Sequence, residues 1–332
     1  MIVGEGAYRY EVVEGWEQLP SGWSHGDVAG VATDSQDRVY VFNRSEHPVI
    51  IYDRDGKFLD TWGNTTLYPR PHGISIVNDE VYLVDAADMT ARKTTLDGKV
   101  LLTLGTPGQV SDTGYKASAV SNLTTIAQAA GPFNVPTRMT VGPSGDLYVS
   151  DGYGNARVHR FSAEGQLLQS WGEPGDEPGQ FNLVHSVWVH TDGRVFICDR
   201  ENDRVQIFSP TGDLLAVWTH VTRPGDLFIS ADGTMYIGEM GWEKGTRNMA
   251  GHPLDEDRPS RLTIRDIEGN ILAAWGGPDP CSPEGFAAPH GLWVDSHGDI
   301  YVGEVTKTAL SGFFKTHPYH EGCHSLTKFA RI

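Results

Sequence analysis

Three histidines open closely similar segments of the chain: His72 in PHGISI, His185 in VHSVWV and His290 in PHGLWV. Neutral imidazoles that meet at one point form the ligand set of a three-histidine metal site. Such a site has bonds of ~2.0–2.1 Å and an open fourth position for water or substrate. Its chemistry would be Lewis-acid activation of a substrate oxygen. Zinc suits that ligand set, and Mn, Fe or Co accept the same nitrogen donors. Taken singly, each histidine reads equally as a hydrogen-bonded core or surface residue. Their shared place in a repeat argues for a joint role.

The repeat covers residues 29–63, 72–105, 137–172, 185–219, 225–276 and 290 onward. Each copy alternates short apolar strands with polar turns rich in Gly and Asp, which is the pattern of a four-stranded propeller blade. The sixth copy holds only three strands, GLWVD, DIYVGEV and SLTKFARI. An orphan strand, YRYEVVEGW at residues 8–16, precedes the first copy, and its Trp16 matches Trp62, Trp171 and Trp275. The spacing therefore predicts an all-β, six-bladed β-propeller occupying residues 1–332 as one domain. Its N-terminal strand should join the last blade and leave only short edges. The Trp-Gly pairs are expected to pack between blades. Asp85, Asp151, Asp199, Glu239 and Glu304 end the second strands and are expected to bind backbone amides of the following loop.

In this register the inner strands begin with Ala29, His72, Thr137, His185, Gly225 and His290. Histidine thus falls on alternate blades, about 120° apart around a central channel. Arg44 and Arg200 follow the second strands of blades one and four, where a pair of guanidinium groups would grip a carboxylate. Gly152 takes that place in blade three, and Tyr153 after it is a candidate base beside a metal. Each of these side chains alone also reads as a solvated charge or a packing residue. Insertions at 106–132, 241–260 and 306–324 map to the same face, as a lid or an oligomer contact. His317, His320 and His324 lie in the last insertion and read as lid or surface residues.

Among the 332 residues Asp and Glu outnumber Lys and Arg by 43 to 26, a formal charge of −17. That field repels a phosphate backbone, which argues against nucleic acid as a partner. No stretch of ~18 apolar residues suggests a membrane span. The opening residues, MIVGEGAYRYEVVEGW, lack a basic segment followed by an apolar one. Cys198, Cys281 and Cys323 follow no metal-binding spacing and allow at most one disulfide, with pairing of Cys281 and Cys323 left open. These features together predict a cytoplasmic protein acting on a small molecule, in an oligomeric state the sequence does not specify.

YPRPHGISI, DLYVSDGYGNARVHRFSAEGQLLQSWG, PGQFNLVHSVWV, CDRENDRVQIF and APHGLWVDSHGDIYVGE resemble the NHL-repeat propeller of the peptidyl-α-hydroxyglycine α-amidating lyase family. The resemblance implies a catalytic zinc on His72, His185 and His290, a catalytic tyrosine at Tyr153 and active-site arginines at Arg44 and Arg200. It implies C–N cleavage of an α-hydroxyglycine-like amide, releasing an amide and glyoxylate or another aldehyde. Gly291 stands where the family places the Asp that serves a structural calcium, which counts against calcium here. Ala288 replaces a methionine of the pattern, and Gly154 replaces a cysteine, so the family's disulfide is missing. A smaller carbinolamide, carrying a carboxylate, is the expected substrate. Two alternatives stay open: a lactone or ester hydrolase using the same three histidines, and a non-catalytic interaction scaffold.

Overall fold

Each repeat folds into an antiparallel sheet because its strands are short, β-branched or aromatic, and separated by turns that demand glycine. The computed structural model describes residues 1–118, 122–312 and 314–332. Six sheets follow one another around a central axis. Their innermost strands are Val28–Thr33, Pro71–Val77, Pro136–Val141, Val184–Val189, Pro224–Ile229 and Pro289–Val294. The chain is a six-bladed β-propeller, as the repeat predicts. The inner strands are buried on both faces, whereas the outer ones expose Leu168, Leu215 and Ile271.

The blades lock through one recurring contact. Gly98 and Gly269 adopt φ values of +84° and +92° in the hairpins joining third and fourth strands of blades two and five. A Cβ on Gly98 would stand 2.6 Å from the Trp62 ring, and one on Gly269 would stand 2.8 Å from Trp218. The tryptophan that ends one blade therefore lies against the turn glycine of the next. Trp62 also donates its indole N–H to the Leu96 carbonyl at 3.0 Å. This is the interblade role expected of the tryptophans.

Closure uses both chain ends. Strand Tyr8–Val13 pairs antiparallel with Leu326–Arg331 in the sixth sheet, as the orphan strand suggests. Ile2–Glu5 then adds a fifth strand outside it, which the repeat pattern does not reveal. Cys281 and Cys323 form a disulfide with Cα atoms 4.5 Å apart, resolving the open pairing. Cys198 remains a buried free thiol. No helix among the described residues is long and apolar enough to cross a membrane.

Candidate metal centre

The three histidines sit where every inner strand breaks its pairing register. In blade four Val184 pairs with Asp199 and Ser186 with Cys198, which leaves His185 as the extra residue. Blade six skips His290 in the same way, and blade two skips His72 together with Gly73. Such a bulge re-aims a side chain out of the alternating pleat. The recurring acids hold the approach to it. Asp85 accepts from the amide of Arg70 at 2.7 Å, Asp199 from Asn182 at 2.8 Å and Glu304 from Ala287 at 2.8 Å. These amides precede the inner strand of the same blade, so the acids pin the loop entering each histidine strand, and Asp85 also accepts from the amides of Ala87 and Asp88 in the loop that follows, as the sequence suggests.

Each histidine is tied to the neighbouring blade through Nδ1. His72 donates to the Thr137 carbonyl at 2.7 Å, His185 to Gly225 at 2.5 Å and His290 to Ala29 at 2.8 Å. A carbonyl only accepts, so Nδ1 carries the proton and Nε2 keeps its lone pair. Burial, reinforced by nearby arginines and, at His72 and His185, by the other imidazoles, drives all three pKa values well below the ordinary histidine range. The rings are therefore neutral, the state a metal ligand requires. One ligand nitrogen from each lies within 4.8 Å of the others. The buried Nε2 atoms of His72 and His290 have no hydrogen-bond partner among the described residues. Orphaned lone pairs at one point fit a bound metal ion.

Tyr153 completes the cluster, its Oη 3.1 Å from Nε2 of His185. Arg200 donates to the same oxygen at 3.2 Å and stands over the ring, 5.4 Å from its centroid. Gly154 follows the tyrosine because a Cβ there would lie 2.0 Å from Oδ1 of Asn134. Behind Arg200, Glu201 accepts from Arg200 Nε at 2.8 Å and from Arg223 at 2.9 Å. Burial alone would raise the Glu201 pKa, but the two guanidinium groups outweigh it and hold it down at about 2. Arg44 pairs with Asp27 at 3.3 Å, and burial together with Arg70 pulls its pKa down. The residues singled out in the sequence thus gather at one place. Arg70, Arg223, Glu201 and Met249 join them without a sequence signal: Arg70 and Arg223 lie between repeat copies, Met249 lies in an insertion, and Glu201 sits in a loop next to Arg200.

The channel is stopped on the far side of the histidines. Arg138 and Asp226 form a buried ion pair one residue beyond the register position of blades three and five. Ser186 Oγ and the amides of Leu227 and Leu292 fill the remaining positions on that carboxylate, at 2.6–2.9 Å. A calcium ion needs several oxygen ligands. Gly30, Gly73 and Gly291 offer no side-chain oxygen in this layer and Arg138 brings a cation, so its residues do not fit calcium. Further along, Trp188, Phe228 and Trp293 pack with ring centroids 4.9–5.4 Å apart. Access to the cluster is from the opposite face.

There a cavity of about 510 Å³ opens over His290, Tyr153, Arg44 and Arg200. All three insertions wall it, through Tyr115 and Asn122, Met249, and Thr308, Ala309 and Phe314. His317, His320 and His324 do not line it. His320 stands beside Cys281 and Cys323, whose sulfurs are already spent on their disulfide.

Residues 133–161 match the NHL repeat family model. The chain carries an NHL repeat. This NHL-repeat chain is 31% identical over 247 residues to human NHL repeat-containing protein 3, covering 69% of the chain and 66% of that protein. It is 29% identical over 274 residues to peptidyl-alpha-hydroxyglycine alpha-amidating lyase 1 of Drosophila melanogaster, covering 78% and 47% respectively. The matched stretch spans about a third to two thirds of the curated relatives' own lengths. Among solved structures, a streptogramin B lyase superposes with a TM-score of 0.60 at 12% identity, over 99% of this chain and 100% of that one. That likeness shows the fold. Relatives of this chain therefore include enzymes, and its three-histidine cluster is a candidate metal site.

Proposed function

We propose that this NHL-repeat chain is a metal-dependent lyase of the amidating-lyase kind, cleaving the C–N bond of an α-hydroxyamide that carries a carboxylate. The observation that carries this reading is Tyr153 Oη, 3.1 Å from the ligand nitrogen of His185 in a cluster of three neutral imidazoles. Zinc held by His72, His185 and His290 would act as a Lewis acid that eases negative charge on the substrate oxygen, and Mn, Fe or Co would suit the same nitrogens. Tyr153, as its phenolate, takes the proton of the substrate hydroxyl onto Oη. The freed electron pair closes the carbonyl, the C–N bond breaks, and the proton passes from Tyr153 to the departing amide nitrogen. Arg200 donates to Oη and steadies negative charge there, while Arg44 faces the cavity to orient the carboxylate. Four arginines and no carboxylate line that cavity, which supports an anionic substrate despite a net charge of −17.

The test is incubation of the metal-loaded protein with an N-acyl-α-hydroxyglycine in water enriched in oxygen-18. Aldehyde release without label in the new carbonyl at early times supports the lyase. Label incorporated into an acid product from a lactone or ester would support the hydrolase instead, and no turnover of either would leave the scaffold reading. As for compartment, the Cys281–Cys323 bridge supports an oxidising one, in place of the cytoplasm that composition suggests.

A further inference from the structure

Of the four arginines lining the cavity, three already have a carboxylate. Arg44 has Asp27 at 3.3 Å, and Arg200 and Arg223 share Glu201. Arg70 has no ion pair or side-chain hydrogen bond among the described residues. The four residues outside that description, Ala119, Val120, Ser121 and Phe313, carry no acid either.

The Arg70 backbone is nonetheless fixed. Its amide donates to Asp85 at 2.7 Å and its carbonyl accepts from Ala86 at 3.0 Å, two residues ahead of His72. Arg70 lines the same cavity as Arg44, Tyr153 and His290, and its charge lowers the pKa of Arg44. Two cations lining one cavity repel each other, and an anion seated between them removes that cost. A planar guanidinium with all its donors free matches a carboxylate in bidentate fashion.

We propose that Arg70 is the specificity-determining residue of this site, binding the substrate carboxylate across from Arg44 and selecting α-hydroxy acids over their neutral amides. This deepens the lyase reading and rests on it for the identity of the substrate, but the recognition itself is testable without turnover. Calorimetry on the metal-loaded protein would use glycolate as the anionic probe and glycolamide as its uncharged counterpart. Arg70→Gln should weaken glycolate roughly 10- to 100-fold, as expected for a lost charge-assisted hydrogen bond. Glycolamide binding and metal content should stay within about twofold, and Arg70→Lys should restore part of the glycolate affinity. In turnover, Arg70→Gln should raise KM for a carboxylate substrate more than it lowers kcat. Equal glycolate affinity in wild type and Arg70→Gln would overturn the proposal. Arg70-dependent glycolate binding without turnover of any α-hydroxyamide would uphold Arg70 and sink the lyase alone.

Discussion

His72 donates its Nδ1 proton to the carbonyl oxygen of Thr137 on the neighbouring blade, at 2.7 Å. Thr137 occupies the register position in blade three that histidine occupies in blade two. The same exchange links His185 to Gly225 and His290 to Ala29, so even blades supply imidazoles and odd blades supply the carbonyls that orient them. Loss of one histidine should therefore empty the whole site. Purified identically, wild type should carry about one transition-metal ion per chain and His185→Ala close to none, read by elemental mass spectrometry. Equal metal in the two proteins would place any ion elsewhere.

Tyr153→Phe separates binding from chemistry. The phenyl ring keeps its place beside His185 and His72, with centroids now 5.7 and 5.4 Å away, while the acid–base oxygen is gone. Metal content should hold, and turnover of an α-hydroxyamide should fall by roughly 10²–10⁴-fold. Turnover at the wild-type rate would rule out Tyr153 as the base.

Gly154→Ala tests how tightly that tyrosine is placed. The new Cβ would meet Asn134, whose side chain is itself held by Ser111 and Thr113 at 3.0 Å, so neither side can yield easily. A loss of about 1–3 kcal/mol in stability is expected, with a drop in turnover and no loss of metal. Denaturant unfolding and metal analysis on the same sample would check all three.

Much of this was legible in the sequence because it depends on side chains in a repeating register. Ala29, His72, Thr137, His185, Gly225 and His290 could be aligned from the strand pattern alone, and with them the blade count and the gathering of the histidines. The register also hides things. Every residue has a carbonyl, so nothing marked Thr137, Gly225 and Ala29 as the groups that fix the imidazoles. Arg70, Glu201 and Arg223 belong to loops between strands, and the strand Ile2–Glu5 has no counterpart in the other blades. The disulfide joins residues 42 apart in sequence, and both cysteines lie outside the strands of the repeat, where the strand pattern does not predict their meeting.

That disulfide should stabilise the cavity wall. It closes a loop that contains the helix Thr306–Gly312, from which Thr308 donates to Asp27, the partner of Arg44. Cross-linking a loop of this size contributes about 2–4 kcal/mol through the unfolded chain. Reductant, or the Cys281→Ser/Cys323→Ser pair, should lower the unfolding free energy by that order, and an unchanged denaturation midpoint would show that the bridge does not form in solution.

Glu201 gives the site its acid limit. Its carboxylate is buried between Arg200 and Arg223 and held at about 2, below the ordinary glutamate value of 4.5. A depressed folded-state pKa contributes stability that is present above the unfolded value and lost as pH falls through the folded one. Its contribution is therefore complete above pH about 4.5 and disappears between there and about 2. Glu201→Gln leaves two buried guanidinium groups without their shared anion, which should cost about 3–5 kcal/mol at neutral pH. The gap between variant and wild type should close as pH drops through that window, because protonation makes the wild-type side chain neutral too. Denaturant unfolding of both proteins from pH 7 to pH 2 measures it, and a gap that stays constant down to pH 2 would show that Glu201 is not the charge that holds Arg200 in place.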